Sequence, residues 1–185
     1  MNELTSQSPV AVRSMGWDGA QTSREILLNR EWLVTNGLGG YASGTVSGAV
    51  TRKYHGLLVS ALAAPLGRVV MWNHVSEFLR FHDDEIVSLG AEEGAGGQLN
   101  LHGAEYLREF RLEDGMPVWT YHVRDLVIEK RVLMPHLQNT VHVSYQIIDR
   151  TRFDLEVALF NQAVDVDLGP LESKLVHILS GHLQR

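Results

Sequence analysis

The side chains best able to hydrogen-bond a ligand, and the densest run of glycines, fall in one segment between Glu31 and Val59. Its sequence is EWLVTNGLGGYASGTVSGAVTRKYHGLLV. Amide, hydroxyl, guanidinium and imidazole groups supply donors and acceptors, and tyrosine rings supply flat apolar faces. This combination suits a polyhydroxylated ligand such as a sugar. The polar candidates for binding it are Asn36, Tyr41, Thr51, Arg52, Tyr54 and His55.

Glycine pairs with polar neighbours punctuate this segment at Asn36-Gly37, Gly39-Gly40 and Ser43-Gly44. Each permits backbone angles that are closed to most residues, so the chain can approach a neighbouring strand or a ligand closely. The spacing Gly37-x-Gly39-x-x-Ala42 superficially matches a dinucleotide fingerprint. We reject that interpretation because a poor helix former follows it and the acidic residue about 20 positions on is missing.

Arg52 and His55 follow the glycines directly, and each has two open interpretations. Arg52 is either a solvated cation beside Lys53 or a clamp for a carboxylate, from a partner domain or from Glu31. His55 either holds the turn through a hydrogen bond to a loop carbonyl or contacts a ligand, because both roles need a polar partner.

No complete catalytic set is visible in the sequence. There is no cysteine, hence no thiolate nucleophile or zinc–thiolate site, and the nine histidines are scattered without metal-ligand spacing. Acidic residues are abundant, but none forms a pair whose context would keep one carboxyl protonated, as glycoside hydrolysis requires. Glu77, inside an apolar run, is the most notable acid, and the favoured interpretation is an outward-facing strand residue. We therefore predict no catalytic residue and no metal ligand here.

Composition excludes several classes of partner. The 185 residues have a net charge of −6, without the basic stripe that a nucleic-acid partner needs. The longest apolar runs are far short of the ~20 residues of a membrane helix. The N-terminus has no charged n-region followed by an apolar h-region. The default interpretation is a cytoplasmic protein that binds neither nucleic acid nor a membrane.

Alternating apolar and polar residues predict an all-β protein, an antiparallel β-sandwich. Val141, Val143, Tyr145 and Ile147 have a period of two, and Asp114-Gly115 is a hairpin signal. We expect a flexible leader over 1–23, a sandwich domain over 24–168, and a helix-like tail or linker over 169–185. A capping-box spacing at residues 22–25 also predicts a short helix after the leader.

The tryptophans divide into two groups. Trp32, Trp72 and Trp119 fall within predicted strands, so we expect them in the core or at a domain interface. Trp17 lies outside the periodic segments, where it could be an exposed platform for a sugar ring.

The block EWLVTNGLGGYASGTVSGAVTRKYHGLLVSA resembles the N-terminal domain of bacterial and archaeal glycogen debranching enzymes, the amylo-α-1,6-glucosidase family. Arg24-Glu25 and the stretch GMPVWTYHVRDLVIEKRVLMPHLQNTVHVSYQI are similar too, and the likeness extends over about residues 24–159. Lys53 stands where a second arginine is expected, a change that keeps the charge but loses the fork geometry. The resemblance carries over the characteristic loop block as candidate substrate-binding residues: Asn36, Gly37, Gly39, Gly40, Tyr41, Thr51, Arg52, Tyr54 and His55. We expect this loop either to form one wall of the sugar cleft or to support the interface between domains.

The resemblance also implies a supersandwich-like domain that packs against a C-terminal α/α toroid. That toroid carries the catalytic carboxylates and hydrolyses α-1,6 branches of glycogen or dextrin by an inverting mechanism, without cofactor or metal. This chain alone is then expected to be inactive. Two alternatives remain: a stand-alone carbohydrate-binding or scaffolding module, and a sugar-modifying enzyme acting within the sandwich, as an epimerase-like fold would.

Overall fold

A computed structural model describes residues 13–16, 23–81, 83–93, 97–150, 155–161, 164–166 and 176–180. One α-helix and a 3₁₀ turn lie among sixteen strands in these ranges. The helix α1 is Arg24–Asn29, and the 3₁₀ turn is His102–Glu105. The first nine strands are β1 Arg13–Gly16, β2 Glu31–Thr35, β3 Tyr41–Thr45, β4 Gly56–Ala61, β5 Arg68–Trp72, β6 Ser76–Phe81, β7 Ile86–Ser88, β8 Ala91–Glu93 and β9 Leu99–Leu101. The others are β10 Leu107–Glu113, β11 Met116–Val123, β12 Leu126–Leu133, β13 Val141–Arg150, β14 Leu155–Asn161, β15 Val164–Val166 and β16 Val176–Ser180.

The strands form three main antiparallel sheets and a small two-stranded ribbon, β8-β9. We call β1-β10-β11-β12-β13-β16 sheet I, β15-β14-β6-β7 sheet II, and β2-β3-β4-β5 sheet III. Sheet I contacts both smaller sheets: Trp119 of β11 packs edge-to-face on Trp32 of β2, and Lys130 of β12 meets Glu77 of β6. The predicted all-β antiparallel sandwich is confirmed.

A row of inward-facing residues crosses sheet I and explains how the layers join. Phe110, Trp119, Lys130 and Tyr145 are direct neighbours on β10, β11, β12 and β13. Each lies at period two with apolar residues of its own strand, so one face of the sheet is buried. The Trp119 indole donates its Nε1–H to the Val46 carbonyl at 2.8 Å, fixing the segment after β3 on this core.

The expectation for Glu77 was wrong. Glu77 is buried, because the period of two puts it on the inner face of β6 with Leu79 and Phe81. Lys130 and the Tyr145 hydroxyl face it from sheet I and satisfy its charge. The predicted burial of Trp32, Trp72 and Trp119 is confirmed; Trp17 lies outside the described residues.

The ends of the chain differ in part from the pattern-based expectations. The predicted tail helix over 169–185 is wrong at Val176–Ser180, which is strand β16 and pairs antiparallel with β13. Val176 and Ile178 are β-branched and alternate along this segment. Hydrogen bonding to the edge of β13 is therefore more favourable there than a weakly amphipathic helix. Within the predicted leader, Arg13–Gly16 is strand β1, paired with β10. The short helix is confirmed: Ser23 caps α1 by accepting from the Ile26 N–H at 3.3 Å.

Candidate functional site

The outer face of sheet III carries an open groove. Strand register places Tyr41 opposite Thr35 on one side and Val59 on the other, and Leu33 opposite Ser43. Paired residues point to the same face, so Leu33, Thr35, Tyr41 and Ser43 share one face of the sheet, while Val59 beside Tyr41 is buried. The groove has a volume of ≈ 480 Å³ and is lined by Glu31, Trp32, Leu33, Thr35, Gly39, Gly40, Tyr41, Ser43, Tyr54 and Arg68.

Two tyrosines and their hydrogen bonds shape this groove. The Tyr54 backbone carbonyl accepts from the Tyr41 hydroxyl at 3.2 Å and from Ser43 Oγ at 3.3 Å. These bonds hold the segment before β4 against β3, while the Tyr54 ring stays about half exposed at 47%. Each ring also has an arginine 6.0 Å from its centroid, Arg52 for Tyr54 and Arg68 for Tyr41. The groove therefore presents aromatic surface whose position is fixed by neighbouring backbone and cations.

Arg68 closes the opposite side of the groove. Its Nε donates to the Gly39 carbonyl at 2.8 Å, so an arginine at the start of β5 fixes the glycine loop between β2 and β3. Gly37 and Gly39 have φ of +79° and +89°, backbone angles that glycine adopts without strain. The expected need for glycine in this loop has a local cause, because the turn itself requires these angles.

Glu31, Arg52 and His55 form a cluster at the end of the groove. Arg52 Nε donates to Glu31 Oε1, which is the carboxylate clamp considered for Arg52, with Glu31 of the same chain as partner. That hydrogen bond lowers the pKa of Glu31 below its usual value and raises the pKa of Arg52. Glu31 is therefore ionised at neutral pH and offers negative charge to the groove.

His55 lies buried behind this carboxylate. Its Nδ1 accepts the Thr51 backbone N–H at 3.3 Å, so the neutral ring carries its proton on Nε2. Nε2 faces Glu31 Oε1 at 3.6 Å, beyond hydrogen-bond range, and is otherwise without a partner in the described residues. Burial lowers the pKa of His55, an effect that the charge of Glu31 partly opposes. The turn thus bonds His55 through a backbone N–H, where a carbonyl was expected.

Asn36 holds the glycine loop from below. It is fully buried, and its Oδ1 accepts from the N–H groups of Leu38 and Gly40, both at 3.0 Å. Its Nδ2 donates to the Gln138 carbonyl at 2.9 Å and to Asn139 Oδ1 at 3.0 Å. With both ends of the amide occupied, Asn36 ties the loop to the β12–β13 connection.

The structure brings only some of the predicted residues to one surface. Gly39, Gly40, Tyr41 and Tyr54 line the groove. Arg52 and His55 reach it through Glu31, and Thr51 contributes its backbone N–H to His55. Asn36 and Gly37 do not line the groove, and Gly37 packs against the His136 ring.

Sequence reasoning did not assign six of the residues that line the groove to a binding site: Glu31, Leu33, Thr35, Trp32, Ser43 and Arg68. The first two alternate with Trp32 on β2, so the period of two could have identified them once Trp32 was assigned to the core. Arg68 is 29 residues from its acceptor Gly39 and gave no local signal.

The groove combines tyrosine rings with a carboxylate and a guanidinium, groups that can stack on or hydrogen-bond a ligand. Among the described residues that line it, Glu31 is the only carboxylate, so this groove offers no acid–base pair for glycoside hydrolysis. In the described part of the chain, no group of three or more histidines and acids is arranged to hold a metal ion. Across the same residues, no helix is long and apolar enough to cross a membrane.

Fold and site together define a β-sandwich domain with an open, tyrosine-lined groove on one sheet. A family model described as "Glycogen debranching enzyme N terminal" matches residues 30–169, about three quarters of the chain. The chain belongs to this family of N-terminal domains of glycogen debranching enzymes, which confirms the suspected resemblance. The comparisons with curated proteins and with solved structures returned no match.

Proposed function

We propose that this chain is a non-catalytic domain whose sheet III groove forms one wall of the α-glucan cleft of a debranching enzyme. The observation behind this proposal is the ≈ 480 Å³ groove, where Tyr41, Tyr54 and the glycine loop meet on one exposed sheet face. Sugar rings stack on aromatic faces, and their hydroxyls pair with fixed charged and backbone groups. The residues of the groove supply both kinds of contact.

Hydrolysis of the α-1,6 branch is assigned in this proposal to a separate helical toroid domain with its own pair of carboxylates. An inverting mechanism needs those two groups about 6.5–9.5 Å apart, with a water between sugar and base. The groove of this chain would hold the glucan next to them and would need neither metal nor cofactor. The proposed location is the cytoplasm, with glycogen or a dextrin as substrate.

The test is Tyr54→Ala in the full-length enzyme, assayed on a branched limit dextrin. The ring is half exposed, so its removal should leave the melting temperature nearly unchanged. We expect KM to rise about fivefold, the equivalent of ~1 kcal/mol of aromatic contact, with kcat within about twofold of the wild type. An unchanged KM in a fully folded variant would exclude the groove from the glucan cleft.

The alternative, a stand-alone carbohydrate-binding module, is favoured by one observation: the groove combines a half-exposed tyrosine, Tyr54, with charged groups on Glu31 and Arg68. Affinity electrophoresis of the chain through glycogen-containing gels separates the two functions. Strong retardation of the chain alone, lost in Tyr54→Ala, would support an independent module. Mobility equal to that in glycogen-free gels, together with the raised KM of the full-length variant, supports the cleft wall.

A further inference from the structure

The carboxylate of Glu31 has one oxygen engaged and one available. Arg52 Nε donates to Oε1, and His55 Nε2 faces the same oxygen at 3.6 Å. No hydrogen bond from a described residue reaches Oε2. The side chain is about one-third exposed and lines the groove, so a bound molecule can reach the carboxylate.

The cluster behind Glu31 fixes the orientation of the carboxylate. The His55 side chain is almost completely buried, at 1% exposure, and its unpartnered Nε2 points at the carboxylate. A buried ring held by the Thr51 N–H cannot rotate away without losing that bond. Arg52 therefore holds Glu31 through a hydrogen bond, and the His55 ring packs behind the carboxylate.

The groove lining carries one charge of each sign, which favours a ligand without net charge. One carboxylate, Glu31, and one guanidinium, Arg68, lie in the same lining as the rings of Tyr41 and Tyr54. An anion would meet Glu31 and a cation would meet Arg68, whereas a neutral polyol can donate hydroxyls to the first and accept from the second. The lining is therefore complementary to a sugar hydroxyl pair next to an aromatic face.

We propose that Glu31 contacts the glucan directly, accepting sugar hydroxyls on its free oxygen, and that Arg52 and His55 are its positioning residues. This assignment rests on the proposed function of the groove. Carboxylate acceptors form stronger hydrogen bonds than neutral ones, so a single such group sets the orientation of a sugar ring along the groove.

The test compares Glu31→Gln with Tyr54→Ala in the full-length enzyme, using KM and kcat on a branched limit dextrin. Glu31→Gln keeps the shape of the side chain and removes its charge. We expect KM to rise about tenfold with kcat changed less than about twofold, the size of one charge-assisted hydrogen bond. Asp125→Asn, a matched removal of an exposed turn carboxylate, should leave both constants at the wild-type values.

The two variants separate failure of this inference from failure of the proposed function. If Tyr54→Ala raises KM and Glu31→Gln does not, the groove binds glucan and the role of Glu31 is overturned. If neither variant changes KM while both stay folded, the proposed function itself fails.

A double variant tests the positioning role of Arg52. If Arg52 acts through Glu31, then Glu31→Gln/Arg52→Ala should raise KM no more than Glu31→Gln alone, because the interaction is already lost. If the increases in KM of the two single variants multiply in the double variant, Arg52 acts independently of Glu31. The melting temperature of each variant is measured as well. A purely structural role of Arg52 would lower the melting temperature, and the KM of the double variant would then exceed that of Glu31→Gln alone.

Discussion

Lys130 of β12 and Glu77 of β6 form a buried ion pair between sheets I and II, with 2.5 Å from Nζ to Oε1. The exposed fractions of the two side chains are 10% and 3%. The Tyr145 hydroxyl donates to the same oxygen of Glu77. Burial and the nearby charge of Glu77 raise the pKa of Tyr145 well above its ordinary value, so the hydroxyl stays protonated as the donor.

Removing one partner of this pair should be costly. Lys130→Met leaves an uncompensated buried carboxylate, so we expect a loss of ~3–5 kcal/mol in the free energy of unfolding. The double variant Lys130→Met/Glu77→Leu removes both charges and should recover most of that loss. Denaturant titration of Lys130→Met, Glu77→Leu and the double variant measures it, with His102→Gln, at an exposed hydrogen bond to Glu92, as a control that changes little. Single variants as stable as the wild type would show that the pair is solvated.

Trp32→Ala should destabilise the sandwich by ~3–5 kcal/mol. The ring is buried, packs edge-to-face on Trp119 with centroids 5.3 Å apart, and donates Nε1–H to the Thr45 carbonyl at 3.2 Å. Trp32→Phe keeps the aromatic packing and should cost clearly less. Denaturant unfolding monitored by circular dichroism gives both values, and a loss under ~1 kcal/mol for the alanine variant would be incompatible with a core position.

Gly40→Ala should destabilise the chain far more than Gly44→Ala. A Cβ at Gly40 would lie 2.7 Å from Asn36 Nδ2 and 3.0 Å from the Val59 carbonyl, so the buried amide would have to move. At Gly44 the nearest atoms, in the Trp32 ring, are 3.5 Å away, an ordinary contact. We expect a loss of ~2 kcal/mol at position 40 and a change within ~0.5 kcal/mol at position 44. Thermal melts compare the two, and equal melting temperatures would contradict the assigned role of Asn36.

The buried His55 should make stability depend on pH below about 6.5, its ordinary pKa. Because burial lowers its pKa in the folded state, the unfolded chain binds the proton more readily, and stability falls as pH drops through this window. When the pH falls from about 7.5 to about 5.5, we expect the free energy of unfolding to decrease less for His55→Asn than for the wild type. The lowered pKa of Glu31 acts only at lower pH, below 4.5. Identical pH profiles from denaturant titrations would show that His55 titrates normally.

Arg52→Ala in the full-length enzyme should slow branch hydrolysis more than it lowers the melting temperature. The side chain is half exposed, and exposed ion pairs contribute little to stability. We expect the melting temperature to change by about 2 °C or less. Turnover on limit dextrin at low substrate concentration is the measurement. Unchanged turnover with a large loss of stability would assign Arg52 to structure alone.

Much of the sandwich could be predicted because period-two alternation is a local property of each strand. The hairpin at Asp114-Gly115 and the alternating strand β13 follow from it directly. The sequence pattern did not predict strand β3, because the glycines around Tyr41–Thr45 indicate a loop. Small residues with weak strand propensity form a strand there because β2 and β4 pair with them on both sides.

The candidate site was predictable only where its members are close in sequence. Arg52, Tyr54 and His55 lie within one turn, and Glu31 was among the considered partners of Arg52. Arg68 meets the glycine loop through tertiary structure alone, so the sequence pattern did not reveal it. The burial of Glu77 depends on Lys130, which lies on a strand of the facing sheet. No local sequence pattern reveals such a partner.

The bridge from Asn36 to Gln138 and Asn139 has a consequence for how such domains diversify. The connection between β12 and β13 lies outside the groove, yet through these hydrogen bonds it helps to fix the position of the glycine loop, which borders the groove. Changes in the length or sequence of that distant connection would reshape the ligand surface while every groove side chain stays the same. The shape of the groove can therefore be altered from a position that an inspection of its lining alone would overlook.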